Sequence, residues 1–195
     1  MLIALISPSC KKDYGDLNGP TVEDFLKNAT KDQLNNLVSG TESAMRINLG
    51  LYIDNVSVIG REGYRFSGSE PRFVTDLLGA ANATLSDNSF YINNPWASLY
   101  RVVKNCNVLI EAAGNSTFAS AEEKKAYQGF AKTIKAYALL LVSNLTYSNG
   151  IRVDVANPNQ PGPILGYNES LQAIAAILDE AKTDLSGAQV SFNLS

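Results

Sequence analysis

Apolar residues along this chain recur at intervals of three and four, a period that predicts helices rather than strands. From Thr30 onward, Leu34, Leu37, Val38, Met45, Leu49 and Ile53 follow one helical face. Gly40 and Gly50 interrupt its continuity. A short helix is predicted before it, from Thr21 to Leu26, and a helical turn after it, from Phe73 to Ala80. Asn94 then precedes Pro95, a cap and a first-turn residue for a helix that carries Trp96, Leu99, Tyr100, Val103, Cys106 and Ile110 on one side and ends at Gly114. Ser120 and Glu123 read as a capping box opening a second long helix, with Tyr127, Phe130, Ala131, Ile134, Tyr137, Leu141 and Leu145 as its apolar stripe. Asn168 is expected to cap a last helix that buries Leu171, Ile174, Ala175, Leu178 and Leu185 and closes at Gly187.

The intervening segments carry turn chemistry. Residues 60–72 hold Gly60, Gly63, Gly68 and Pro71, and residues 149–167 hold Pro158, Pro161 and Pro163, too many for a strand or helix interior. Both are expected as loops. No alternating run of useful length occurs, so the predicted class is all-α, built of antiparallel helix pairs with long loops. From Trp96, the positions of Leu99 and Ala112 match a tetratricopeptide unit, although Tyr100 stands where a glycine is expected.

Composition narrows the function. The net charge of −3 offers no clustered basic surface, so nucleic acid is not an expected partner. The chain contains no histidine, which excludes Ser-His-Asp and Cys-His catalysis and every histidine metal site. Carboxylate enzymes survive that test, yet the spacing of Glu62, Glu70 and Asp76 singles out no catalytic pair. Neither a metal nor a cofactor is expected. Cys106, on a helix, reads as a small buried apolar side chain. Cys10 follows the apolar run Leu2 to Ile6 and Ser7-Pro-Ser9, like the tail of a bacterial lipoprotein signal, and reads as a lipidation site. That run is shorter than an ordinary signal core of about 7–15 residues and no basic residue precedes it, so Met1 reads as a misplaced or truncated start. Three regions result: a residual signal segment at 1–9, a polar tether at 10–20 and a helical domain over 21–195. The tail from Ser191 ends without a finished element, which is the expectation for the front part of a larger domain.

A binding surface for sugars needs aromatic faces flanked by amide and guanidinium groups. Tyr64, Phe66 and Tyr91 are read as loop aromatics near Arg61, Arg65, Asn93 and Asn94, and Trp96 is the sole tryptophan. These four are the candidate ligand contacts. Packing against the helices is the competing and preferred reading for each, with Trp96 in core register beside Leu99. Asn107 is read as an amide tying neighbouring helices, and Arg61 with Glu62 as an inter-helix ion pair. The Asn-x-Ser/Thr triplets, among them Asn144 and Asn168, are attributed to abundant Asn, Ser and Thr rather than to glycosylation.

Four stretches in order carry a family resemblance: Ile59-Gly-Arg-Glu-Gly-Tyr64 with Glu70-Pro-Arg-Phe-Val-Thr-Asp-Leu-Leu-Gly79; Trp96-Ala-Ser-Leu-Tyr100 with Asn107-Val-Leu-Ile110; Ala131-Lys-Thr-Ile-Lys-Ala-Tyr-Ala-Leu-Leu-Leu-Val142; and Asn168-Glu-Ser-Leu-Gln-Ala-Ile174 before Ala181-Lys-Thr-Asp-Leu185. The chain resembles the N-terminal portion of the SusD/RagB-like outer-membrane nutrient-binding lipoproteins. Lys135 stands where that family usually has arginine, and Leu171 where it has tyrosine. The resemblance implies tetratricopeptide-like helix pairs and a non-enzymatic, surface-facing lipoprotein of the cell outer membrane. It would be anchored through lipid on Cys10, with Lys11, Lys12, Asp13 and Asp16 resembling the export signal. It would capture oligosaccharides or other oligomeric nutrients for a SusC-like TonB-dependent β-barrel transporter. The alternative from another class is a helical-repeat adaptor that binds protein partners.

Overall fold

The structure is a computed structural model that describes residues 22–194. Cys10 and the stretches expected as signal segment and tether lie outside the described residues. Helices α1 (Val22–Asn28), α2 (Lys31–Met45), α3 (Leu49–Ile59) and α4 (Arg72–Leu78) lead to two long helices, α5 (Phe90–Asn115) and α6 (Ala121–Thr146). A two-residue ribbon follows, β1 (Ile151–Arg152) paired antiparallel with β2 (Ile164–Leu165), and then α7 (Tyr167–Ser186). The described chain is mostly helical and the all-α expectation holds.

Capping decides where the best-specified helices begin. At α6 the Ser120 hydroxyl accepts the Glu123 N–H at 3.2 Å and the Glu123 carboxylate accepts the Ser120 N–H at 2.8 Å. Thr30 and Gln33 do the same for α2. The long apolar run from Thr30 is two helices, broken at residues 46–48, where Asn48 adopts a left-handed φ of 58°. The last helix is capped at Gly166 and not at Asn168. Its Glu169 carboxylate accepts the Gly166 N–H at 3.0 Å, which leaves Asn168 exposed in the first turn.

The α5–α6 pair is antiparallel, as Lys124 to the Gly114 carbonyl and Gln128 to the Ile110 carbonyl require. Each helix has 26 residues, about 39 Å. Val102, Val103, Cys106 and Leu109 of α5 meet Tyr127, Leu139 and Val142 of α6 and Leu34 and Val38 of α2 in the main core. Cys106 is buried there as expected, and burial pushes its thiol up to about 12. Phe192 folds back on this core, 5.0 Å from the Tyr127 ring and 5.5 Å from the Phe130 ring. Helix α7 crosses α6 at Gly129, where an added Cβ would sit 2.6 Å from Leu185 Cγ and 3.2 Å from the Ala181 carbonyl. Packing along α6 buries Ser170, Ile174 and Ala181, while Ala175, Leu178 and Leu185 of the expected inward face stay exposed.

Helix α5 begins five residues earlier than its proline suggests. Phe90 and Tyr91 are helical, and Tyr91 is buried with Val58, Phe73 and Leu77 in a second, smaller core. Pro95 therefore sits inside the helix, where its missing N–H leaves the Tyr91 carbonyl without its usual donor. Asn55 of α3, itself fully buried, supplies the donor from its side-chain amide.

The buried Glu123 joins the first and second halves of the chain, since its carboxylate also accepts from the Lys31 ammonium at 2.8 Å. The Lys31 contact first, and the Ser120 N–H next, hold that carboxyl below its usual range. A lowered folded value means that its contribution is present above the unfolded carboxylate range and is lost as pH falls through the folded one. The urea midpoint of the wild type is thus expected to exceed that of Glu123→Gln at pH 7, and the gap to narrow as pH falls below the ordinary glutamate range. A constant difference down to pH 3 would refute the role of the charge.

Candidate functional site

A groove of about 1110 Å³ runs between α1, α5, α6, the ribbon loop and α7. Its floor on α5 is a stripe of Trp96, Tyr100, Lys104, Asn107 and Glu111, spaced by three and four and offset from the core-facing stripe of Leu99, Val102, Val103, Cys106 and Leu109. Trp96 was expected in the core but keeps 43% of its surface, and its ring lies 4.6 Å from the Tyr100 ring at 55°. The face it uses belongs to the groove because Leu99 and Val103, one residue before each groove position, already fill the helix interface. Two aromatic rings thus line the groove at a tilt to each other, Trp96 exposed and Tyr100 half-buried.

The opposite wall is the proline-rich segment, expected as a loop throughout. It is instead pinned by a short ribbon and by Tyr100, whose hydroxyl donates to the Arg152 carbonyl at 2.9 Å and accepts the Arg152 N–H at 3.2 Å. Burial raises the Tyr100 phenol above its ordinary value. The Arg152 guanidinium donates to the Gly162 carbonyl, and the Gly162 N–H donates to the Asp154 carbonyl at 2.9 Å, so the prolines are strapped across the groove.

The α6 side contributes two lysines in different states. Burial opposes the charge on Lys132, but Asp184 at 2.9 Å and Glu180 at 3.0 Å outweigh it and raise its affinity for the proton. Lys135 is half-buried with no hydrogen bond or ion pair among the described residues, and desolvation lowers its proton affinity against the distant pull of Asp154. The Asn107 side-chain nitrogen is enclosed without a hydrogen-bond partner. The expected inter-helix tie through that amide nitrogen is not made.

Of the four candidate contacts, only Trp96 reaches the groove. Tyr91 is buried, and its hydroxyl donates to Asp76 at 2.9 Å and accepts the Ser86 N–H at 2.9 Å, a structural role. Tyr64 and Phe66 do not pack on helices. They stack on each other at 6.4 Å and 25° in the loop after α3, and stay 62% and 84% exposed. Arg65 between them pairs with Asp54 and lies 4.3 Å from the Phe73 ring centroid. Arg61 donates to the Leu78 carbonyl at 3.1 Å and forms no ion pair with Glu62. Glu70 is held by Arg72 at 2.6 Å, which lowers its carboxyl, and Asp76 is engaged by Tyr91 and Thr75.

Sequence reasoning placed Trp96 and Tyr100 together but missed Lys104, Lys135 and Arg152 as site residues. The spacing of 96, 100, 104, 107 and 111 carried the signal for α5. Nothing local marked Lys135 or Arg152, which meet the stripe only through helix packing and the strap. Among the described residues no three acidic or thiol side chains are placed to hold a metal ion, and no helix is long and apolar enough to cross a membrane.

Fold and groove together define an all-α chain of antiparallel helices with an open, aromatic-lined groove beside a proline-rich strap. Comparison with known protein families, curated proteins and solved structures gives no match to this chain.

Proposed function

We propose that this chain is the N-terminal portion of a SusD/RagB-like lipoprotein that captures oligosaccharides or other oligomeric nutrients at the outer-membrane surface and delivers them to a TonB-dependent β-barrel transporter. The observation that carries the reading is the exposed Trp96 ring, set against the half-buried Tyr100 ring, in a groove of about 1110 Å³. A ligand that slides over ring faces and is held by side-chain nitrogens fits capture without covalent chemistry. The antiparallel α5–α6 and α6–α7 pairs, read as tetratricopeptide-like units, serve as the rigid scaffold that presents the groove. The decisive experiment is detergent extraction of the full-length protein from its native outer membrane, with mass spectrometry of its companions and of Cys10. A β-barrel transporter in near-equal amount and a lipidated Cys10 are the expected result.

A second reading, a helical adaptor for protein partners, is favoured by the exposed Tyr64–Phe66 pair together with Ile53, Val56 and Ile59 on α3, each exposed by 39% or more. In the capture reading that same surface is the one offered to the barrel. Recovery in the soluble fraction, with an unmodified Cys10 and a soluble protein partner, would replace capture with the adaptor reading.

Because Trp96 is the sole tryptophan, its emission reports groove occupancy directly. Binding of an oligosaccharide is expected to shift that emission, and Trp96→Ala is expected to weaken binding about tenfold or more, about 1.4 kcal/mol, with an unchanged circular dichroism melt. Undiminished binding by the variant would remove the groove from the capture reading.

A further inference from the structure

We propose that the groove is built for an acidic oligosaccharide, its sugar rings on Trp96 and Tyr100 and its carboxylates on Lys104, Lys135 and Arg152. The inference rests on the capture reading and narrows its ligand. Three cations converge on this groove from three elements, Lys104 from α5, Lys135 from α6 and Arg152 from β1. None of them meets a carboxylate within 4.0 Å among the described residues, since the ion pairs there involve other cations. Arg152 spends one N–H on the Gly162 carbonyl, and a guanidinium has five to give.

Lys132 provides the internal comparison. It borders the same groove, and there Glu180 and Asp184 neutralise it from α7. One helical turn further on, Lys135 is partly withdrawn from water with no such partner among the described residues. An ammonium in that position is costly unless an anion joins it, and a bound carboxylate is the group that lowers the cost most. Asp154, whose charge reaches Lys135 through space, stands outside ion-pair distance and is exposed. Asn107, less than a turn beyond Lys104, leaves a further side-chain donor at this floor without an acceptor.

Three acidic side chains also border the groove, and Glu180 adds its charge to that of Asp154 at Lys135. Glu180 is taken by Lys132, and Glu111 lies seven residues beyond Lys104 on the same helix, about 10 Å along its axis. Glu23 borders the groove from α1. From Trp96 to Lys104 the axis advances about 12 Å, so the aromatic rings and the cations lie within one short oligomer's reach. Aromatic faces read the rings, the cations read the charge, and Glu23 and Glu111 repel an acidic chain from the α1 end.

The test uses the full 195-residue chain with three probes, followed by calorimetry and Trp96 emission: a hexamer of galacturonic acid, a neutral glucose hexamer and polyglutamate. The expected result is binding of the acidic hexamer at least tenfold tighter than the neutral one, and weakening as salt rises from about 50 to about 500 mM. Lys104→Gln and Lys135→Gln are each expected to lower affinity about three- to tenfold, with Lys135→Arg retaining it. Lys104 is exposed, so its variant keeps the test decisive if Lys135→Gln fails to fold. Equal binding of the neutral hexamer without salt dependence overturns the acidic preference and leaves capture standing. Polyglutamate binding as tightly as the acidic hexamer overturns the oligosaccharide and makes the groove a site for acidic peptide. No binding of any probe overturns this inference, and loss of the barrel companion in the extraction experiment separately overturns capture.

Discussion

Gly150→Ala is expected to loosen the strap and weaken ligand binding together, while leaving the α5–α6 core folded. Gly150 has φ 72° and ψ 178°, a conformation open to glycine and essentially closed to residues with a Cβ. A Cβ there would also lie 2.1 Å from the Leu165 carbonyl oxygen and 3.1 Å from Ile164 Cγ2. The obstructing atom is backbone, so it cannot swing aside as a side-chain tip would. Leu165 is the ribbon partner of Ile151, so relief of the clash must part β1 from β2. Backbone strain alone costs on the order of 1–3 kcal/mol, and the ribbon holds Arg152 and Ile164 at the groove. The urea midpoint should fall, and hydrogen exchange should rise across residues 150–166 more than in α5 or α6. Gly40→Ala is the control, because nothing lies within 4 Å of its added Cβ in the middle of α2. It is expected to raise stability by about 0.4–1 kcal/mol through the unfolded chain. Equal behaviour of the two variants would show that the strap does not depend on Gly150.

Some of this architecture was legible because its causes are local. Ser120 and Glu123 lie three residues apart, and the box they form sets the start of α6 whatever packs around it. The turn chemistry after Ser186 likewise stops α7 at Gly187. Asn94 before Pro95 obeys an equally local rule and yet misplaces the start of α5, because the deciding forces come from elsewhere in the chain. Burial of Tyr91 beside Phe73 and Leu77 extends the helix, and Asn55, distant in sequence, supplies the donor that Pro95 lacks. The ribbon was illegible for a similar reason. Two residues per strand carry no period, and its place depends on Gly150 and on a tyrosine of α5.

The groove divides in the same way. Trp96, Tyr100, Lys104 and Asn107 share a helical face that any reading by three and four brings together, but whether that face looks inward or outward is settled by which neighbouring face wins the packing. Leu99, Val102, Val103 and Cys106 are the more continuous apolar set and take the interface with α6. Trp96 is left at the groove. Lys135 reads in the sequence only as a departure from the arginine usual in the resembled helix, one that removes a bidentate pairing. That it borders one groove with Lys104 and Arg152 is a product of helix packing, which no spacing in the chain records.

The repair of the α5 proline yields the other large effect. In an unbroken helix the Tyr91 carbonyl would accept the N–H of residue 95, four positions on. Proline has none, and the carbonyl is enclosed in the second core, where an unmet acceptor costs about 1–3 kcal/mol. Asn55 donates its amide to that oxygen, at the price of its own Oδ1, which has no partner. Asn55→Ala is therefore expected to destabilise the protein by about 2 kcal/mol. Part of that loss is simply missing volume, so the single variant does not isolate the hydrogen bond. Pro95→Ala does, because it returns an N–H to the helix and makes the Asn55 donor redundant. In that background Asn55→Ala should cost about 1 kcal/mol less, a coupling between residues 40 positions apart that appears in a four-variant urea cycle. Additive behaviour, with the same loss from Asn55→Ala in both backgrounds, would mean that α3 supports α5 through packing alone. A coupling of the expected sign makes Asn55 the condition on which α5 runs back through Pro95 to Phe90, and Trp96, one residue beyond that proline, takes its orientation toward the groove from the continued helix.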